Sequence, residues 1–330
     1  MDLRTTYMGL NLPGPIVVSA NPLSENPDNI RRMEDHGAGA VVMFSLFEEQ
    51  IRQELALMDH YQEAYTESFA EALTYFPPVN GYRVGIDHYL EILYRASHSV
   101  DIPVIGSLNG VTHEGWVSYA RDMQEAGARA IELNVYFIPA DLYADGRQVE
   151  QRYLDILRAV KEAVQVPVAI KLNPYFSAFA DMARQLDEAG ANALVLFNRF
   201  YEPDIDIDRL ELSTALELSS PAEVRLPILW LGVLYGKLKA SLAATTGVNS
   251  AREVIKYILA GADVAMTASA LLKHGIPYLR RMNHDIQFWM EARGIETLRE
   301  MRGILSQQHV ANPTAYERAN YIKILGGYRV

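Results

Sequence analysis

Lys171 closes the apolar run VPVAIK, and Asn173 follows two residues later. An ammonium at the end of such a run is partly desolvated, so it needs a partner: an anion, a carbonyl substrate or an electron-rich cofactor atom. Asparagine is depleted in strands, yet four consecutive strand-like runs end on or beside one. These are Asn109 in VIGSLN, Asn134 in AIELN, Asn173 in VAIKLN and Asn198 in ALVLFN. An amide both donates and accepts, so a ring of them suits a planar heterocycle with alternating donors and acceptors. Each asparagine taken singly also suits a strand ending in a local turn. Other runs end on Ser19-Ala20-Asn21, Ser45, Thr245-Thr246-Gly247 and Thr267 to Ser269. The last two lead into TTGVNSAREVI and TASALLKHGI, where small residues ahead of a helix suit a phosphate group.

Other chemistries find little support in the sequence. The chain has no cysteine, which excludes disulfides, thiolate nucleophiles and iron–sulfur clusters held by the protein. Its eight histidines show no HxH or HExxH spacing, so no metal site is expected. No G-x-S-x-G elbow occurs. Carboxylates such as Glu132 and Asp87 show no recognisable pairing and read as a buried ion pair or a solvated face.

The elements that must position these residues form one repeated unit. An amphipathic helix is followed by Gly-Ala and a short apolar strand in GAGAVVMFS, AGARAIELN, AGANALVLFN and AGADVAMTAS. DIPVIGSLN and QVPVAIKLN approach through proline instead. With PIVVSA and SLAATTG there are about eight strands. Apolar strands alternating with helices mean a parallel sheet covered on its outer face. Eight such units are expected to close into an α/β (β/α)8 TIM barrel, in a single domain over 1–330, with catalytic groups at the C-terminal strand ends. An open doubly wound sheet is the alternative, but SANPLSENPDN is no glycine-rich dinucleotide turn. Segments at about 46–84 and 199–218 exceed a plain barrel and are expected as long loops over the mouth.

A net charge of −11 over 330 residues argues against a polyanionic partner such as nucleic acid. The N-terminus lacks the pattern of a signal peptide. The longest apolar stretch, LPILWLGVLYG, is too short to span a bilayer and reads as a buried helix. A cytoplasmic protein without membrane contact is expected.

In order along the chain, TTYMGLNLPGPIVVSANPL, GAGAVVMFS, GIDHYL, IPVIGSLNG, AGARAIELNV, VPVAIKLNP, ALVLFNRF, AGADVAMTASALLKHG and LREMRGIL resemble the dihydroorotate dehydrogenase family, more its soluble class than its membrane-attached class. The resemblance implies FMN as cofactor, oxidation of dihydroorotate to orotate, and a place in pyrimidine biosynthesis. It places Ala20, Asn21, Ser45, Asn109, Asn134 and Asn198 against flavin or substrate, with Asn134 and Asn198 also facing substrate. It makes Lys171 the catalytic lysine against the flavin ring, and it puts Ser219, Thr246, Gly247, Ala268 and Ser269 in the phosphate loops. It also admits a homo-oligomer or a protein electron-transfer partner.

The departures fall on the substrate side. The family's Asn-Leu-Ser-Cys-Pro-Asn stands here as Asn134-Val135-Tyr136-Phe137-Ile138-Pro139. Phe137 replaces the general base and cannot accept a proton. Pro139 replaces a substrate-binding asparagine, and Phe44 replaces a lysine that touches the flavin. The Asn-x-x-Gly loop ahead of GIDHYL becomes FPPVNGYRV, and Ser219-Ser220 stand in for the family's small phosphate-cradling residues. The general base is therefore unknown. A flavin enzyme with weak orthodox activity or another substrate is expected. The alternatives are a Schiff-base lyase using Lys171 and a catalytically silent nucleotide-binding barrel or complex subunit with an aromatic surface from Phe44, Phe137 and the long Tyr-rich insertion.

Overall fold

The structure is a computed structural model that describes residues 1–51, 85–199, 202–213 and 217–317. Most of the first extra segment, and with it FPPVNGYRV, lies outside the described residues. The chain begins with an antiparallel hairpin, β1 (Thr5–Tyr7) and β2 (Leu10–Leu12). Six strands follow in turn: β3 (Ile16–Val18), β4 (Ala40–Phe47), β5 (Val104–Asn109), β6 (Ala130–Asn134), β7 (Val168–Leu172) and β8 (Ala193–Leu196). A small antiparallel hairpin, β9 (Asp204–Asp206) and β10 (Glu211–Ser213), lies in the second extra segment, after the C-terminal end of β8. Two more strands, β11 (Ser241–Ala244) and β12 (Val264–Thr267), complete the set. Eight of these are parallel and close in the order β11-β12-β3-β4-β5-β6-β7-β8. This is the expected (β/α)8 barrel, and each of its strands coincides with one of the eight runs read from the sequence.

The Gly-Ala repeat has a backbone cause. Gly37, Gly127, Gly190 and Gly261 all have positive φ, between 90° and 128°. Each lies just beyond a helix, where a left-handed residue ends the helix and turns the chain into the next strand at least cost. Among the described residues the helices longer than four residues are α1 (Pro27–Asp35), α2 (Gly85–Ser97), α3 (His113–Glu125), α4 (Gly146–Ala163), α5 (Phe179–Glu188), α6 (Arg225–Leu234), α7 (Ala251–Ala260), α8 (Ser269–His274) and α9 (Tyr278–Glu291). The run LPILWLGVLYG forms most of α6, with Leu231 and Leu234 buried. No helix among the described residues is long and apolar enough to cross a membrane.

Side chains alternate between the barrel interior and the helix-facing core. The interior holds Val17, Ala40, Val42, Ile105, Ala130, Ala169, Ala193, Val195, Ala243, Val264 and Met266, packed with Tyr7, Met8 and Leu12 of the hairpin. The first hairpin closes the end where strands begin, since Met8 N donates to Ser241 Oγ and Thr5 Oγ1 donates to the Asp263 carbonyl. The sequence carried no strand-like pattern long enough to announce this plug.

Strand β4 breaks the alternation. Val42 pairs with Ile105 but Ser45 with Ser107, so β4 carries one residue more than β5 over this interval. Such a bulge reverses the facing of everything beyond it. Ser45 turns inward, while Phe44 packs edge-on against Tyr89 of α2 at 4.8 Å between ring centroids. β4 also runs through Phe47, two residues into the stretch expected to leave the barrel.

Gly39 immediately precedes β4, where a Cβ would overlap the Gly14 carbonyl, a backbone atom that cannot swing aside. Its amide also donates to the Ile16 carbonyl at 2.7 Å. Gly39→Ala should cost about 1–3 kcal/mol, the range for overpacking a tight site, read as a lower urea midpoint with an unchanged denaturant slope.

Candidate active site

The inward residues nearest the C-terminal strand ends are polar. Lys171 and Asn173 come from β7 and its exit, Glu132 and Asn134 from β6, and Ser107 and Asn109 from β5; all six are buried. Asn134 and Lys171 are direct neighbours across the β6–β7 ladder. The Lys171 ammonium lies 3.5 Å from the Glu132 carboxylate, with side chains 10% and 1% exposed. Neither carboxylate oxygen of Glu132 makes a hydrogen bond among the described residues. Two strands of the interior therefore share a buried ion pair, which the sequence left undecided between that and a solvated face. Asp87, the other carboxylate singled out, is exposed on α2.

The asparagines divide into those held locally and those with free amides. Asn21 Nδ2 donates to the Ser19 carbonyl and its Oδ1 accepts from Leu23 N, so it caps the turn Pro22–Glu25 beside Ala20. Asn173 accepts from Tyr175 N and donates to Tyr153 Oη. Asn134 Nδ2 donates to Ser107 Oγ at 2.9 Å, and Ser107 Oγ also meets Ser45 Oγ at 2.9 Å. This chain links β4, β5 and β6 and keeps Asn134 Oδ1 for another donor. The side-chain amides of Asn109 and Asn198 make no hydrogen bond among the described residues. The local-turn reading holds for Asn21 and Asn173, while Asn109, Asn134 and Asn198 keep unused polar atoms at the mouth.

A second polar cluster forms where β11 and β12 end. Ser219 Oγ accepts from Gly247 N at 3.1 Å and meets Ser269 Oγ at 2.9 Å. Thr246 and Gly247 both have φ of 76°, a left-handed pair that only packing can hold for a threonine. Tyr257 Oη donates to the Thr246 carbonyl at 2.6 Å and Thr246 Oγ1 donates to the Phe197 carbonyl, which fixes the loop. A Cβ at Gly247 would meet the Ser220 carbonyl and the Val224 backbone, so this approach admits glycine alone. Lys273 reaches into the cluster, donating to Asn249 Oδ1 at 2.9 Å and the Ser219 carbonyl at 3.3 Å. Ala268 precedes Ser269 at the start of α8. Small residues, backbone amides and one cation are a donor set that fits a phosphate. Lys273 was not singled out from the sequence, where TASALLKHGI gives only a helix with a lysine in its last turn.

The loop after β6 packs against α4. The Phe137 ring lies under the Arg152 guanidinium of α4, 4.6 Å from its centroid. Ile138 is 54% exposed, and Leu142 and Tyr143 are 94% exposed. From Val135 to Ala140 the tyrosine hydroxyl of Tyr136 is the one side-chain group that can carry a proton. Phe44 packs against Tyr89 and Phe137 against Arg152, while the Tyr-rich segment expected to share an aromatic surface with them lies mostly outside the described residues.

Glu48, also not singled out from the sequence, shapes the mouth between β4 and β5. It is buried, and its carboxylate accepts from Val111 N, Thr112 N and Thr112 Oγ1 at 2.6–2.9 Å. A carboxylate at these amides neutralises the start of α3. Among the described residues no group of three or more His, Asp or Glu side chains is placed to hold a metal ion.

Tyr153 ties the two flanks together. Its hydroxyl donates to the Val135 carbonyl at 3.1 Å and accepts from Asn173 Nδ2 at 2.8 Å, and burial pushes its phenol up to about 12. An unfolded tyrosine ionises near pH 10, so between about 10 and 12 the unfolded chain binds fewer protons at this site than the folded one. The contribution is complete below pH 10 and declines by about 1.4 kcal/mol per pH unit until the folded phenol ionises. Tyr153→Phe should lose about 1–2 kcal/mol at neutral pH, from two buried hydrogen bonds, and show a shallower decline across pH 10–12 than the unsubstituted chain in urea titrations.

Comparison with known proteins gives the same family as the residue pattern. The family model for dihydroorotate dehydrogenase matches residues 79–290. A Thermoplasma volcanium protein called dihydroorotate dehydrogenase B (NAD(+)), catalytic subunit, is 28% identical over 311 residues, which is 92% of this chain and 98% of the relative. Proteins of the same name from Methanothermobacter thermautotrophicus and Methanocella arvoryzae are 25% identical over 309 residues and 29% identical over 276 residues. They cover 92% and 82% of this chain and 98% and 87% of their own lengths. The match spans most of the barrel, including Lys171 and the cluster around Gly247, and the chain belongs to the dihydroorotate dehydrogenase family.

Proposed function

We propose that the chain is an FMN-dependent oxidoreductase that has kept the family's cofactor apparatus and lost its loop for deprotonating dihydroorotate. The observation that carries this reading is the pairing of two separate polar clusters at one barrel mouth. One has the Lys171 ammonium and unused amides, and the other has small residues, backbone donors and Lys273. Lys171, Asn109, Asn134 and Asn198, with Ser45, Ala20 and Asn21 nearby, would hold the ring. Ser219, Thr246, Gly247, Ala268, Ser269 and Lys273 would hold the phosphate. Bound FMN supplies a hydride acceptor that no side chain can provide. Lys171 contributes positive charge beside an electron-rich ring, and Asn134 and Asn198 orient a planar substrate through paired donors and acceptors.

The substrate side is where this chain parts from its relatives. A positioned base contributes about 10²–10⁴-fold to proton removal, and the loop from Val135 to Ala140 offers only Tyr136 for that role. Oxidation of dihydroorotate is therefore expected to be slow, with another CH–CH substrate preferred. The relatives named as catalytic subunits support a protein partner that carries the electrons onward. The Schiff-base reading is weaker, because it needs Lys171 as a free amine and its ammonium lies against Glu132.

Titration of the purified protein into FMN and into riboflavin, followed by flavin fluorescence, tests the reading. One FMN per chain should bind, at least about tenfold tighter than riboflavin, since a charge-assisted phosphate contact is worth more than a neutral one. Lys171→Met should weaken both flavins, and Lys273→Ala should narrow the preference for FMN. A protein that quenches neither flavin is a silent barrel, and the proposal fails.

A further inference from the structure

Lys171 can do two different things at a barrel mouth, depending on whether it carries a proton. As an ammonium it attracts an anionic or electron-rich ring; as an amine it is a nucleophile. The group that decides between them lies inside the barrel, behind the lysine. Glu132 is 1% exposed, two residues before Asn134 on β6, and 3.5 Å from Lys171 Nζ. Its carboxylate oxygens have no hydrogen-bond donor among the described residues, so the lysine is the one ion-pair partner found for it there.

Among the described residues its surroundings offer no substitute cation. Inward neighbours on the adjoining strands are Ser107, whose hydroxyl is taken by Ser45 and Asn134, and Ala169. From the plugging hairpin comes Tyr7, whose buried hydroxyl also lacks a hydrogen-bond partner among the described residues. The Tyr7 phenol is pushed up by burial and further by the negative charge of Glu132, and Tyr89 on α2 is pushed up by burial with the same charge adding to it. Both phenols stay protonated, so neither neutralises the carboxylate by any means but a hydroxyl dipole. A carboxylate buried without a cation is strongly disfavoured, and so is an ammonium buried without an anion. The two charges therefore persist together or vanish together.

We propose that Glu132 is the counter-ion that keeps Lys171 protonated, so that this mouth presents a fixed positive charge to its ligand and no free amine. Glu132 is thus a positioning residue that acts through Lys171. Which ligand meets that charge rests on the flavin reading above; the pairing itself does not. The chemical class it selects is an anion or a ring that accumulates electron density, and it turns away aldehydes and ketones that need an amine.

The test uses the full-length protein without cofactor, so that failure to bind flavin leaves it intact. Limiting acetic anhydride at pH 8 labels unprotonated amines, and peptide mass spectrometry reports Lys171 relative to exposed Lys256 in the same chain. Glu132→Gln should raise that ratio at least tenfold, while Glu132→Asp, which keeps the charge, should stay near the unsubstituted value. A folded Glu132→Gln protein with an unchanged ratio overturns the proposal. Should Glu132→Gln fail to fold, Glu132→Gln combined with Lys171→Met decides: recovery of a cooperative melt shows that the unpaired lysine caused the failure, and no recovery overturns the proposal.

Discussion

Closure of eight parallel strands imposes a parity on every residue at the mouth. Once the sheet meets itself, a strand has one face toward the helices and one toward the axis, and side chains must alternate between them. Glu132 and Asn134 share the axis side of β6 because they are two apart, and Asn109 joins Ser107 on β5 for the same reason. Lys171 stands opposite Asn134 because the β6–β7 register pairs them. Small residues below them, Ala130, Ala169 and Ala193, leave room for the long polar side chains above and for the hairpin that closes the bottom.

Against that parity, the departures mark where the mouth was shaped. The bulge in β4 gives Ser45 rather than Phe44 to the interior, so the Phe44 ring lies against Tyr89 and leaves the mouth polar. The loop after β6 turns toward α4 and packs Phe137 under Arg152. Each of these two aromatic residues finds a packing partner outside the polar cluster. The charge pair and the small-residue corner are therefore undisturbed by either ring.

The strands and their order were legible because each carries its own local signal: glycine at positive φ, then β-branched residues, then a polar end. Lys171 was legible for the same reason, as a charge at the end of an apolar run. Glu132 was harder, because its partner is 39 positions away and only the register of β6 with β7 brings them together. The bulge was invisible, since VVMFSLF satisfies a regular strand equally well and only pairing with β5 shows the extra residue. Glu48 and Lys273 were missed because a carboxylate that caps a distant helix and a lysine that folds back over a loop have no periodicity to read. Of the four asparagines read as one ring, Asn173 is taken up by its own turn and by Tyr153.

The flavin apparatus proposed to be retained and the proton-abstracting loop proposed to be lost meet in one mixing experiment. FMN-loaded protein is combined anaerobically with dihydroorotate while the visible flavin band is followed, and dithionite is added afterwards. The band should persist through the first step and bleach in the second, showing a flavin that accepts electrons but receives none from dihydroorotate at an appreciable rate. Prompt bleaching by dihydroorotate alone would contradict the account, because it would require an efficient base that the loop from Val135 to Ala140 does not provide.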